Sequence, residues 1–312
     1  MKRAIPAATP QAVQSLTMRP ILLDGALGTE LERRGAACSL PLWTAETILE
    51  SPELVRAVHR EYIDAGAHVL TAGTFRTTRW ALSKKGMADR AEELTRKAVE
   101  LARDATTSPN PPAKARGKVE AHAPASLGPA STLALVAGSI APLVDCYHPE
   151  LAPGDLVLNA EHRHNAQSLA DAGVDIILVE TQNSLREAKI ATHFARQTRI
   201  PVWTSFIVKS PTELLNGDSL RDAARDVVKH GAAAVLINCT SPQIAAKAVM
   251  NLSMHVHGEI KIGVYPNALD EQMTPEEFAE WGTNIQAIAD IIGGCCGIGP
   301  EHIRALAERI RS

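Results

Sequence analysis

Cys239, Cys295 and Cys296 are the side chains of this chain best suited to hold a soft cation. Cys239 closes an apolar run, AAVLINCT at 233–240, and the vicinal pair ends another, DIIGGCC at 290–296. Thiolate ligands favour zinc over harder divalent ions. Three protein ligands also leave a fourth position open, which separates catalytic zinc sites from structural ones. A thiol bound there ionises near neutral pH and becomes a nucleophile, so the set points to chemistry on a thiol substrate. Adjacent cysteines in a regular strand face opposite sides. For both to reach one ion the backbone must leave the extended conformation, as Gly293, Gly294 and Gly297 permit. The competing readings are ordinary: Cys239 as a small buried hydrophobe, the pair as a redox switch. Cys38 and Cys146 sit in loops and read as incidental; Cys146, soon after the apolar run at 133–140, falls near the same end of the fold as the three but has no motif around it.

These residues need elements to position them. Eight short apolar runs recur along the chain: 21–24, 68–75, 133–140, 175–181, 202–208, 233–240, 260–267 and 290–295. Helical patterns follow nearly every one, at 161–172, 184–197, 219–230, 241–254, 275–283 and 300–311 among others. Alternating strands and helices argue for a parallel sheet, and eight repeats favour a closed (β/α)₈ TIM barrel over a doubly wound sheet. The first strand also lacks the G-x-G-x-x-G turn of a dinucleotide fold. Ala65-Gly66, Ala172-Gly173 and His230-Gly231 each supply a left-handed helix end before a strand. In such a barrel the active site lies at the C-terminal ends of the strands. Three of the five cysteines fall on that rim, together with Asp24 and Glu180, two acids that end apolar strands.

The whole chain of 312 residues fits one barrel from 20 to 312 preceded by a loose tail over 1–19. A segment at about 104–131, with five prolines among Ala, Ser and Thr, reads as an exposed insertion. Lys and Arg total 32 against 35 Asp and Glu, a net charge of −3. That supplies no basic surface for nucleic acid, and 4% aromatics give no stacking platform. No apolar stretch is long enough to cross a membrane, the start is a poor secretory signal, and sparse cysteines fit a reducing, cytoplasmic setting.

DGALGTEL at 24–31, NCTSP at 238–242, YPN at 265–267 and GGCCGIGPEHI at 293–303 resemble the homocysteine S-methyltransferase family. The resemblance runs from about Pro20 to Arg311 apart from the Pro-rich segment. It implies a zinc-dependent barrel that methylates the thiol of L-homocysteine to give methionine. It implies Cys239, Cys295 and Cys296 as the zinc ligands, Asp24 and Gly25 as the homocysteine-binding turn, and Glu180 as the carboxylate that receives the ammonium group. A buried carboxylate needs such a cationic partner. Thr29 and Phe75 are expected to line the same pocket. The bland alternatives are a helix cap for Asp24 and an ion pair to Arg186 for Glu180.

Two departures bear on the methyl donor. The family's T-N-T-F is followed by a small polar or aromatic residue, whereas this chain has TAGTF and then Arg76. An arginine beside the metal is awkward for a cationic donor unless it turns away or pairs with an acid. After YPN the family's Ser-Gly-Glu-like turn is replaced by ALDE. A compact barrel without cobalamin or folate modules favours S-methylmethionine as donor. Betaine-like or other sulfonium donors, a selenol acceptor such as selenocysteine, and a non-catalytic zinc or thiol-sensing barrel are the alternatives. His162 and His164 fall on different helix faces and are expected in solvent. His255 and His257 precede a strand, on the wrong side of a barrel for catalysis. Trp43, Trp203 and Trp281 read as core or loop anchors.

Overall fold

The computed structural model describes residues 20–107, 134–256, 258, 260–269 and 272–311. Eight parallel strands form the barrel wall: β1 (Ile21–Leu22), β2 (Val69–Ala72), β3 (Leu135–Ile140), β4 (Ile176–Gln182), β5 (Val202–Phe206), β8 (Ala234–Asn238), β9 (Lys261–Tyr265) and β10 (Ile291–Ile292). Between β5 and the next wall strand, β6 (Val208–Ser210) and β7 (Glu213–Leu214) form an antiparallel hairpin outside it. The wall runs in the order β1-β10-β9-β8-β5-β4-β3-β2. A single parallel bridge, Leu23 to Val69, joins its two ends and closes the ring. All eight sequence-derived strands are present, and the fold is the α/β barrel expected.

Period-two alternation divides each strand between two cores. Ile21, Leu23, Val69, Leu135, Ala137, Ile176, Leu178, Trp203, Ala234 and Leu236 fill the barrel interior. The alternate residues, among them Leu70, Val136, Ile177, Val235 and Ile262, face the helices. Each large aliphatic side chain buried this way contributes about 1.5–3 kcal/mol, which is why short strands suffice. Gly263 of β9 lies level with Leu236 of β8 and Ile291 of β10. A Cβ there would stand 2.7 Å from the Leu236 side chain and 2.9 Å from that of Ile291, so these neighbours meet across the space a side chain would take.

The helices start and stop where the sequence signals them. Ser184, Ser219 and Thr274 cap the helices Leu185–Gln197, Leu220–Lys229 and Pro275–Ile285 through their side chains, Thr274 in a full capping box with Glu277. Gly66 and Gly173 end their helices in the left-handed conformation. The helix Ala91–Thr107 runs through the first four residues of the supposed Pro-rich insertion. The rest of that segment from 108 and the tail over 1–19 lie outside the described residues. Among the described residues no helix is long and apolar enough to cross a membrane.

One expectation fails outright. His162 is fully buried in the helix Asp155–Ala172, and its Nε2 lies 2.9 Å from Glu187 Oε1. A buried carboxylate on the neighbouring helix gives this histidine a partner that no sequence spacing reveals. His164 is only half-buried, 3.2 Å from Glu92. His255 ends the helix Pro242–Val256 and bonds within it, while His257 is outside the described residues.

Candidate active site

The last inward layer of the barrel is polar. On β3, β4, β5, β8 and β9 the inward alternation continues to Ser139, Glu180, Ser205, Asn238 and Tyr265, all buried. They sit on the apolar plug, and two of them, Glu180 and Tyr265, line a cavity of about 260 Å³ at the C-terminal ends of the strands. Cys239, Cys295, Cys296, Asp24, Gly25, Thr29, Phe75 and Glu180 all line it. Tertiary structure therefore gathers into one cavity residues that stand up to 272 positions apart, from Asp24 to Cys296.

Glu180 reaches the cavity through a bulge. Val179 pairs with Thr204 and Gln182 with Phe206, so β4 spends three steps where β5 takes two. Thr181, the extra residue, adopts φ 57°. The Glu180 carboxylate accepts hydrogen bonds from Ser139 Oγ at 2.5 Å and Tyr265 Oη at 3.2 Å. Arg186 is elsewhere, with Asp155 and the Pro153 carbonyl, so among the described residues no ion pair neutralises Glu180. Asp24 does not cap a helix: its carboxylate accepts from the Thr71 amide at 2.7 Å and the Thr71 hydroxyl at 3.0 Å. Burial, uncompensated by any cation, pushes Asp24 up to about 8 and Glu180 up to about 7. Their mutual repulsion adds to the rise at Asp24.

The three thiols converge. The Sγ atoms of Cys239, Cys295 and Cys296 lie within 4.8 Å of one another, with Cys295 and Cys296 4.0 Å apart. Cys295 and Cys296 follow β10 in an irregular turn, as their joint use of one ion requires. Of the three neighbouring glycines only Gly297 has a positive φ, at 86°. Cys239 itself adopts φ 55°, a conformation a non-glycine residue rarely takes and one that turns its side chain off the strand line. Asn238 stabilises this strand end: its Oδ1 accepts from the Thr181 amide and Ser205 Oγ, and its Nδ2 donates to Thr181 Oγ1. Hydrogen bonds from Cys295 and Cys296 hold Cys239 well below the usual thiol range and raise their own values. Three sulfurs sharing protons at this distance fit a soft cation that would replace those protons. The three residues therefore have the donor set and spacing to hold a metal.

Neighbouring loops lock the thiol turn to the Asp24 turn. Tyr62, fully buried, places its hydroxyl 3.2 Å from the Ala26 carbonyl and 3.1 Å from that of Ile298. Gly25 is confined to glycine by contact, since a Cβ there would stand 2.2 Å from the Ile298 carbonyl oxygen. Thr29 Oγ1 accepts from the Gly297 amide at 3.2 Å. Phe75 stacks under the Arg76 guanidinium, 5.2 Å from its ring centroid.

Several residues of this cavity were not singled out from the sequence, three of them beside its chemistry. Tyr147, half exposed, brings its hydroxyl within 3.2 Å of Cys239 Sγ. Cys146, expected near the rim but given no role, lines the cavity, and burial pushes its thiol up to about 12. Trp43 forms part of the wall, packed over Gly28. Nothing in local spacing marks them; only the position of Cys146 and Tyr147 soon after β3 could have pointed to those two.

A family model described as homocysteine S-methyltransferase matches residues 21–310. A selenocysteine Se-methyltransferase of Brassica oleracea is 32% identical over 93% of this chain and 89% of its own length. A homocysteine S-methyltransferase of Escherichia coli is 31% identical over 93% of this chain and 94% of its own. The crystal structure of the Escherichia coli homocysteine methyltransferase MmuM in its metallated form superposes with a TM-score of 0.80 at 30% identity, covering 97% of this chain and all of that one. Fold, rim chemistry and relatives agree: the chain is an enzyme of the homocysteine S-methyltransferase family.

Proposed function

We propose that this enzyme transfers a methyl group from a small cationic donor, S-methylmethionine first, to the sulfur of L-homocysteine, forming methionine. The observation that carries the reading is a single cavity with three thiols on one wall and two unneutralised buried carboxylates, Asp24 and Glu180, beside them. A zinc ion on Cys239, Cys295 and Cys296 would supply an open position at which the substrate sulfur is held as thiolate. Asp24 and Glu180 receive the homocysteine ammonium, and Gly25, on the cavity wall, lets the Asp24 turn pack directly against the thiol turn. Thr29 and Phe75 complete the wall.

Transfer then needs proximity and dryness more than proton chemistry. The thiolate attacks the donor methyl carbon in line. The carbon–sulfur bond of the sulfonium breaks with its electron pair staying on the donor sulfur, and a neutral thioether leaves. With S-methylmethionine both products are methionine. The thiol proton is lost on binding, so no general base is required. The cavity wall suits a cation: Arg76 is the one Arg or Lys among its lining residues, and its guanidinium is bonded to the carbonyls of Pro142, Leu143 and Val144. Asp145 lines the same cavity and adds a third carboxylate. Free thiols at all five cysteines fit a reducing, cytoplasmic setting.

The test is a donor panel of S-methylmethionine, S-adenosylmethionine and betaine, read as methionine formed from homocysteine in the zinc-loaded enzyme. Methionine from S-methylmethionine at the highest kcat/KM supports the proposal, and none from any donor sinks it. Homocysteine should also protect Cys239, Cys295 and Cys296 from alkylation; absence of protection at saturation would leave a thiol-sensing barrel instead. The 32% identity to a selenocysteine methyltransferase favours selenocysteine as a second acceptor, checked by competition between the two.

A further inference from the structure

The segment after β3 is held by more side chains than a surface loop needs. Arg76 Nη1 donates to the carbonyls of Pro142 and Leu143 at 3.3 and 3.4 Å, and Nη2 donates to that of Val144 at 3.1 Å. From the other side, Glu187 Oε1 accepts the Leu143 amide at 2.8 Å and is itself held by His162. Asn183 Nδ2 donates to the Cys146 carbonyl at 3.0 Å. Arg76, Asn183, Glu187 and His162 are all buried. Next along the chain stands Tyr147, whose hydroxyl lies 3.2 Å from Cys239 Sγ.

We propose that Arg76 is a positioning residue that clamps the backbone of 142–144, so that the Tyr147 hydroxyl donates a hydrogen bond to the Cys239 thiolate on the open side of the thiol cluster. A planar guanidinium spans three carbonyls with a fixed fork that a compact ammonium on a flexible stem does not reproduce, and its charge is offset by Asp145 and Glu187 nearby. Arg76 therefore faces the loop and not the substrate. A hydrogen bond to a ligand thiolate draws charge from the sulfur and so tunes what that sulfur gives a bound cation. This rests on the metal-site reading for its spectroscopic arm alone; the clamp itself is read without metal.

The experiment compares R76M, R76K, Y147F and R76M/Y147F with the parent full-length chain. In the metal-free proteins, amide exchange across 142–147 should quicken roughly tenfold in R76M, less in R76K, and hardly in Y147F. In the cobalt(II)-loaded proteins, the thiolate-to-metal charge-transfer band should move to longer wavelength in Y147F and in R76M alike, with no further shift in the double variant. Exchange at the parent rate in R76M would overturn the clamp. An unshifted band in Y147F, or a double-variant shift equal to the sum of the single ones, would overturn its action through Tyr147. If R76M fails to fold, R76K carries both comparisons, with intermediate exchange and an intermediate shift expected. Failure to bind cobalt in the parent would count against the metal site and leave the exchange result to decide the clamp.

Discussion

Asp24 and Glu180 keep their protons to unusually high pH because burial leaves their charges without a counter-ion. On the proposed reading, homocysteine brings an ammonium that binds the ionised pair. KM for homocysteine is therefore expected to fall about tenfold or more between pH 6 and pH 8, as the pair ionises through about 7 and 8. Initial-rate kinetics at fixed donor test this, and a flat profile would refute it. The stability of the ligand-free chain should move the opposite way. Both folded-state values lie above the ordinary 3.8 and 4.5, so the native state binds more protons than the unfolded one, and this contribution is lost as pH rises towards 8. D24N should accordingly lose less stability than the parent between about pH 5 and pH 8 in urea titrations, while binding homocysteine poorly. At this scale the sequence shows the thiols and acids because each ends an apolar run at a barrel rim. It does not show Tyr147, whose contact with Cys239 depends on a loop path set by Arg76 and Glu187, nor the burial of His162, which depends on a partner 25 residues away.

Helices and turns set the mutual placement of the two halves of the site. The helix Pro52–Ala65 contributes Tyr62, whose hydroxyl touches both the substrate turn at Ala26 and the thiol turn at Ile298. Y62F removes the hydroxyl shared between these carbonyls, which keep their backbone partners, and is expected to cost about 1 kcal/mol, measured as a shift in the urea midpoint. It should also lower kcat/KM for homocysteine, because the two turns lose their common anchor. The same helix buries His59 with neither ring nitrogen bonded, and burial pushes it down to about 4. Its folded-state value is depressed, so its effect is a loss of stability as pH falls from its ordinary 6.5 towards 4. H59L is expected to flatten that acid limb in thermal melts relative to the parent; an unchanged slope would dismiss the effect. Helix ends were legible in the sequence because Ser, Thr and Gly mark them at fixed offsets. The β6–β7 hairpin and the short helices Thr44–Glu50 and Arg79–Ser83 were not, since a few residues offer too little periodicity.

On the scale of the whole barrel, closure is uneven. β1 and β10 are two residues each, and the ring is completed by the bridge from Leu23 to Val69, whereas β3 and β4 pair over a longer ladder. Amide exchange should therefore be fastest along the β10–β1–β2 seam and slowest through β3–β5. Asp24 and the vicinal cysteines sit at the top of that seam, so homocysteine with zinc should slow exchange there more than elsewhere. Equal protection around the ring would contradict this. Strand count and order follow from eight apolar runs and parallel-sheet rules; the weak seam does not, because two-residue strands leave no pattern. The three thiols also straddle β9, with Cys239 following β8 and the pair following β10, and β9 itself gives no ligand. Gly263 in the middle of β9 sets how closely β8 and β10 approach, because Leu236 and Ile291 occupy the room its side chain would need. The bite of the thiol cluster is thus adjustable from below: a methyl wedge at Gly263 would spread its two supports, shifting the cluster's preference towards larger thiophilic ions such as cadmium without altering any ligand.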